Sequence, residues 1–151
     1  MRTTILAGIV AGLLAAPAFA AEHRVEMLNK DPETGDRNVF EPAILQIAPG
    51  DTVTFVPTDK GHNAVTDEEM IPEGGTSFEG KINEEITVTF DTEGTYGYNC
   101  VPHYGQGMVG LILVGDASVN FEEAKAVKQR GRAAKVYEEL FAEAAEMMQG
   151  S

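Results

Sequence analysis

The chain has 151 residues with 24 acidic and 11 basic side chains, a single cysteine and three histidines. A net charge of −13 disfavours nucleic acid and anionic membrane surfaces as partners, and it either attracts cationic proteins or serves solubility alone. One cysteine excludes an intramolecular disulfide.

The first element, "MRTTILAGIVAGLLAAPAFA", sets Arg2 before an apolar run and ends in the small-x-small pattern Ala18-Phe19-Ala20. The run from Ile5 to Ala16 is short of the roughly 20 residues that a membrane span needs. Residues 1–20 are therefore expected to be a removed signal peptide, with an uncleaved anchor as the alternative. Residues 21–151 are expected to form one domain of 131 residues (151 − 20) in the periplasm. Losing Arg2 makes the balance 10 − 24 = −14. A lone thiol in an oxidising compartment has to be protected, reactive or metal-bound. If cleavage follows Ala20, the new terminus Ala21-Glu22-His23 has a free amine and a third-position histidine, a pattern that can wrap Cu(II). The plainer reading is that His23 opens a strand.

From His23 to Val114 the hydrophobic period is that of strands. In "HRVEML", Val25 and Met27 alternate with charged Arg24 and Glu26. "AILQIAPGDTVTFVP" gives two runs split by the turn tripeptide Pro49-Gly50-Asp51. "TDEEMIPEGGTSFEGKIN" reads as a long irregular connection. "EITVTFDTEGTYGY" gives two more runs around Gly94, and the continuous apolar "GMVGLILVG" suits a strand covered on both faces. The expected fold is mainly β, a sandwich of about eight short strands. Beyond Val114 the period becomes helical. Asn120 with Glu123 suggests a capping box, and helices are expected at about 119–129 and 132–148. Phe121, Ala124 and Val127 share one face; Val136, Leu140, Phe141 and Ala144 share another.

The chemistry concentrates in "NCVPHYGQGM", Asn99 to Met108, which packs a thiol, an imidazole and a thioether into nine residues. With His62 from the turn after "DTVTFVP", the donors are His62, Cys100, His103 and Met108. Two imidazoles, a thiolate and a weak thioether form the ligand set of a type 1 copper site. Pro102 lacks an N–H and has a fixed φ, which helps curl the chain so that His103 returns toward Cys100. Gly105 and Gly107 allow the tight turn before Met108. Zinc could use the same cysteine and histidines but has little use for a thioether. A Cys–His nucleophile fits the Met partner poorly.

"NVFEPA" (Asn38 to Ala43), "APGDTVTF" (Ala48 to Phe55), "TDKGHN" (Thr58 to Asn63) and "CVPHYGQGMVG" (Cys100 to Gly110) resemble the pseudoazurins, a cupredoxin family. The resemblance spans the chain after residue 20, including its helical tail. It implies a cupredoxin-like Greek-key sandwich with two C-terminal helices. It also implies a periplasmic one-electron carrier cycling Cu(II)/Cu(I), likewise monomeric, and not an enzyme. Its partners would be nitrite reductase, another denitrification enzyme or a c-type cytochrome. Ligands carried over are His62, Cys100, His103 and Met108, with His103 as the electron exit. Asn63 matches the residue that ties the ligand loops together, and Asn29 is a further candidate beside the site.

A second catalytic copper would need histidines flanking the cysteine, and Asn99 and Val101 stand there instead. A copper-binding or delivery module is the alternative to a carrier. The family's lysine ring is represented by Lys30, Lys60 and Lys81. Gln106 and Asn38 stand where the resembled family often has apolar residues, so a more polar docking face is expected, while the −14 balance favours a basic cytochrome as partner.

Overall fold

The computed structural model describes residues 19–150, so the expected signal segment falls, up to residue 18, outside the described residues. Eight strands form: β1 (Glu22–Lys30), β2 (Arg37–Glu41), β3 (Ile44–Ile47), β4 (Asp51–Val56), β5 (Val65–Thr66), β6 (Ile86–Phe90), β7 (Gly94–Asn99) and β8 (Val109–Val114). Two helices follow, α1 (Phe121–Ala126) and α2 (Gly131–Gln149). The strands make two four-stranded sheets, ordered β2-β1-β4-β6 and β3-β8-β7-β5. β1 runs parallel to β4 and β3 parallel to β8, while the remaining pairs are antiparallel. The fold is the expected mainly β sandwich with a helical tail. No helix among the described residues is long and apolar enough to cross a membrane.

Alternation in the strands divides the core in two. Val25 and Met27 of β1, Val53 and Phe55 of β4, Val88 and Phe90 of β6 and Tyr96 and Tyr98 of β7 point between the sheets. On β8, Ile112 and Val114 join them. Val109, Leu111 and Leu113 point the other way, onto the helices. The continuous apolar run of β8 thus has the physical cause expected of it, burial on both faces.

The helices cover that outer face with Phe121 and Ala124 from α1 and Ala133, Tyr137, Leu140, Phe141 and Ala144 from α2. Full burial of a Leu or Phe side chain contributes about 1.5–3 kcal/mol, so the stripe on α2 is enough to hold the tail down.

Two local expectations fail. α1 ends at Ala126 rather than about 129, because Val127 turns extended at φ −62°, ψ 126°. The capping box does not form either. Asn120 leads into α1, but its side chain makes no cap bond. It instead accepts from the Thr95 N–H at 2.7 Å and donates to the Thr95 carbonyl at 2.9 Å. A buried strand-edge peptide is a stronger claimant for that amide than a helix end that water can reach.

The long connection after β5 is also less loose than its composition suggests. Met70 is buried, and Phe78 stacks on Phe55 with ring centroids 5.0 Å apart. At the other end of the molecule, the Ala21 carbonyl accepts from the Thr52 N–H, and His23 pairs opposite Val53 in the β1–β4 ladder. The Ala21 nitrogen and His23 Nε2 each lie 2.8 Å from an Asp51 carboxylate oxygen. Wrapping a metal with the backbone there would mean dismantling this ladder, so the strand-opening reading of His23 is the one that holds.

Candidate metal centre

The site sits at one end of the sandwich, where the ends of β4 and β7 open into turns. After β4, Gly61 takes φ 97°, a left-handed conformation that lets the chain reverse and aim His62 inward. Asn83 fixes that reversal from outside. Its Oδ1 accepts from the Gly61 N–H at 2.7 Å, and its N–H donates to the His62 carbonyl at 2.8 Å.

Cys100 follows β7 directly. The His103 N–H donates back to the Cys100 carbonyl at 3.2 Å, closing the turn that contains Pro102. The Met108 N–H then donates to the His103 carbonyl at 3.2 Å, and the Cys100 N–H to the Met108 carbonyl at 3.0 Å. Cys100, His103 and Met108 are thereby laced together through their own backbones. Gly107 takes φ 89°, and a Cβ there would come within 2.8 Å of Val136 on α2. The helix therefore packs directly against the loop.

The donor atoms converge. Cys100 Sγ lies 3.8 Å from His62 Nδ1 and 3.6 Å from His103 Nδ1, and the two Nδ1 atoms are 3.0 Å apart. This trio is the one cluster of metal-binding residue types found among the described residues. A thiolate at about 2.3 Å and an imidazole at about 2.0 Å from one ion in a trigonal plane stand roughly 3.7 Å apart. The sulfur–nitrogen edges fit that triangle, and the nitrogens need only spread slightly. Met108 is fully buried beside Cys100 in the same core and is positioned as the thioether of a type 1 copper site. The residues present fit a copper ion.

Protonation favours the same assignment. Burial, then the neighbouring His103, pushes His62 below the ordinary histidine range and keeps it neutral, the form that binds metal. Asn29 Oδ1 lies 2.8 Å from His62 Nε2, accepting its hydrogen and leaving Nδ1 a free lone pair. Burial pushes the Cys100 thiol up, opposed by the Asn63 and His103 backbone N–H groups. A cation at the triangle would have to displace that proton.

Around the donors, Asn63 accepts from the Val101 N–H at 2.9 Å and donates to the Gly80 carbonyl at 3.0 Å. It joins the His62 turn, the Cys100 turn and the connection after β5. Pro102 is exposed beside half-buried His103, as are Val101 and Gln106. Lys30, Lys60 and Lys81 are exposed. Gln106 is hydrogen-bonded to Asn38 of β2. Two partnerships had no sequence signal. One is this Asn38–Gln106 pair; the other links Tyr104 to Gln129 at the α1–α2 junction.

Residues 26–115 match the model of the copper binding proteins of the plastocyanin/azurin family. The chain is 52% identical over 130 residues to pseudoazurin of Paracoccus pantotrophus, covering 85% of this chain and 88% of that protein. It is 43% identical over 144 residues to pseudoazurin of Methylorubrum extorquens, covering 94% and 96%. The structure of a pseudoazurin from Sinorhizobium meliloti superposes with a TM-score of 0.79 at 49% identity, covering 82% of this chain and 96% of that one.

Proposed function

This chain belongs to the plastocyanin/azurin family of copper-binding proteins, among the pseudoazurins, and from that premise we propose that it is a periplasmic, monomeric blue copper carrier serving a denitrification enzyme such as nitrite reductase, or a c-type cytochrome. The observation that carries the reading is the His62–Cys100–His103 triangle with Met108 laced to it through the loop backbone. A copper ion bound there supplies a one-electron Cu(II)/Cu(I) couple.

The protein's own part is to hold the donors still. His62 is fully buried and fixed by Asn29. Asn63 ties its turn to that of Cys100, and Pro102 stiffens the loop between Cys100 and His103. Such outer hydrogen bonds keep ligand positions constant between oxidation states, so little has to move when an electron passes. His103, half-buried at the molecular surface, is the exit, and Lys60, Lys81 and Gln106 belong to the docking face around it.

Titration with Cu(II) tests the centre. One equivalent should give an intense thiolate-to-copper band in the red that ascorbate bleaches, and a colourless product would count against it. Stopped-flow transfer to a basic c-type cytochrome tests the docking. The net acidic charge calls for rates that fall as salt rises, and salt-independent rates would remove that partner class.

A further inference from the structure

Tyr104 directly follows the ligand His103, and its hydroxyl leaves the metal loop for the helical tail. It donates to Gln129 Oε1 at 2.7 Å and accepts from the Arg130 N–H at 3.1 Å, both in the junction between α1 and α2. The same Gln129 carboxamide donates through Nε2 to Asp67 Oδ2 at 2.9 Å and to Met70 Sδ at 3.2 Å. Both of those residues rest on β7. The Asp67 N–H bonds the Gly97 carbonyl at 2.9 Å, and a Cβ on Gly97 would come within 2.6 Å of Met70. Gly97 lies three residues before Cys100.

A single side-chain amide therefore closes a circuit between the loop carrying His103 and the strand carrying Cys100. Plain docking of the tail needs no such bond, because the apolar faces of α1 and α2 already supply it. We infer that Tyr104 and Gln129 are positioning residues for electron transfer: they clamp the ligand loop to β7 through the helical tail and restrict how far His103 moves when the metal changes charge. The electron-transfer part rests on the carrier function proposed above, whereas the clamp itself is a property of the polypeptide. Outer contacts of this kind set ligand orientation in metal sites generally.

The test compares wild type with Tyr104→Phe, Gln129→Met and, as a control, Tyr137→Phe. The last removes a 2.9 Å bond from α2 to the Tyr98 carbonyl without touching the metal loop. In copper-free protein, amide exchange at Gln106 and Gly107 should quicken roughly fivefold in the first two variants, the loss expected for one net hydrogen bond. In copper-loaded protein, electron self-exchange should slow several-fold in the same two. Tyr137→Phe should match wild type in both measurements even as its thermal midpoint falls. Loop exchange unchanged in Tyr104→Phe and Gln129→Met, or equally raised in Tyr137→Phe, would overturn the clamp. Should Tyr104→Phe fail to fold, Gln129→Met carries the comparison alone. A wild type without a blue band would sink the carrier reading, while copper-free exchange still decides the clamp.

Discussion

Asn38 Nδ2 donates a hydrogen bond to Gln106 Oε1 across 68 residues of sequence, joining β2 to the metal loop two residues before Met108. Both side chains are polar, and each supplies the other's hydrogen-bond partner. Asn38 also takes φ 52°, which asparagine tolerates better than most residues. The pair should behave as a unit. Gln106→Leu should cost about 0.5–1 kcal/mol, Asn38→Leu about 1 kcal/mol more because leucine must also adopt the left-handed backbone, and the double variant less than their sum. Urea unfolding of the four-member cycle measures the coupling, and strict additivity would mean that the bond contributes nothing in solution.

His62 depends on Asn29 for its tautomer, so that contact should be visible in metal affinity. Asn29→Leu removes the acceptor at Nε2 and frees the imidazole to place its hydrogen on Nδ1, the atom facing Cys100. Copper affinity should fall on the order of 10–100-fold, as is usual for loss of a ligand's outer partner. Asn29→Asp keeps an acceptor and should stay close to wild type. Competition against a chelator of known affinity gives both values, and equal affinity for Asn29→Leu and wild type would remove Asn29 from the site.

Sequence reached the fold and the donors for reasons that are mostly local. The β8 run is uniformly apolar because helices cover one face and the opposite sheet the other. Three of the four donors lie within nine residues, so their spacing alone reports a loop returning on itself. Apart from those of Asn63 and Asn29, which entered only through the family resemblance, polar contacts across the fold were not legible. Asn120 has the right neighbours for a cap, yet Thr95, 25 residues away, takes its side chain. Gln129 reads as the end of the first expected helix until the fold brings Tyr104, Asp67 and Met70 around it. Local rules describe what a side chain can do for its own segment, while tertiary packing decides which partner wins.

Acid should loosen the start of β1 first. Asp51 is held below the ordinary carboxylate range, chiefly by its bond to His23 and then by the Ala21 and Ala48 N–H groups. A depressed carboxylate contributes stability that is fully present above its unfolded value, about 3.9, and is lost as pH falls through the folded value. Asp31 and Asp116 are depressed as well, each mainly by hydrogen bonds from its own turn, and add to the same slope. Wild-type stability should therefore decline steeply below pH 4, and Asp51→Asn should show a shallower decline from a lower plateau. Thermal midpoints across that range measure it, and parallel curves for the two proteins would show that Asp51 carries none of the acid sensitivity.

Tyr98 gives the least intuitive expectation, because removing a polar group from the centre of the protein should not harm it. Its ring is fully buried and packs edge-on against Phe40 and Phe55, with centroids 4.7 and 5.0 Å away. The hydroxyl is the one buried side-chain polar atom among the described residues without a hydrogen-bond partner. Burial, with a smaller contribution from Glu41, pushes the phenol far above its ordinary value, so it stays neutral at any ordinary pH. On β8, Gly110 faces the ring so closely that a Cβ would come within 2.4 Å of the hydroxyl oxygen. An unsatisfied buried hydroxyl costs about 1–3 kcal/mol, while the ring supplies nearly all of the packing. Tyr98→Phe should consequently leave stability unchanged or raise it by up to about 1 kcal/mol. Gly110→Ala should be strongly destabilising in either background, since the added methyl also meets the ring carbon Cζ at 2.4 Å. Urea midpoints of the two single variants and the double decide between these outcomes. A clear loss of stability in Tyr98→Phe would mean that the hydroxyl is satisfied in solution.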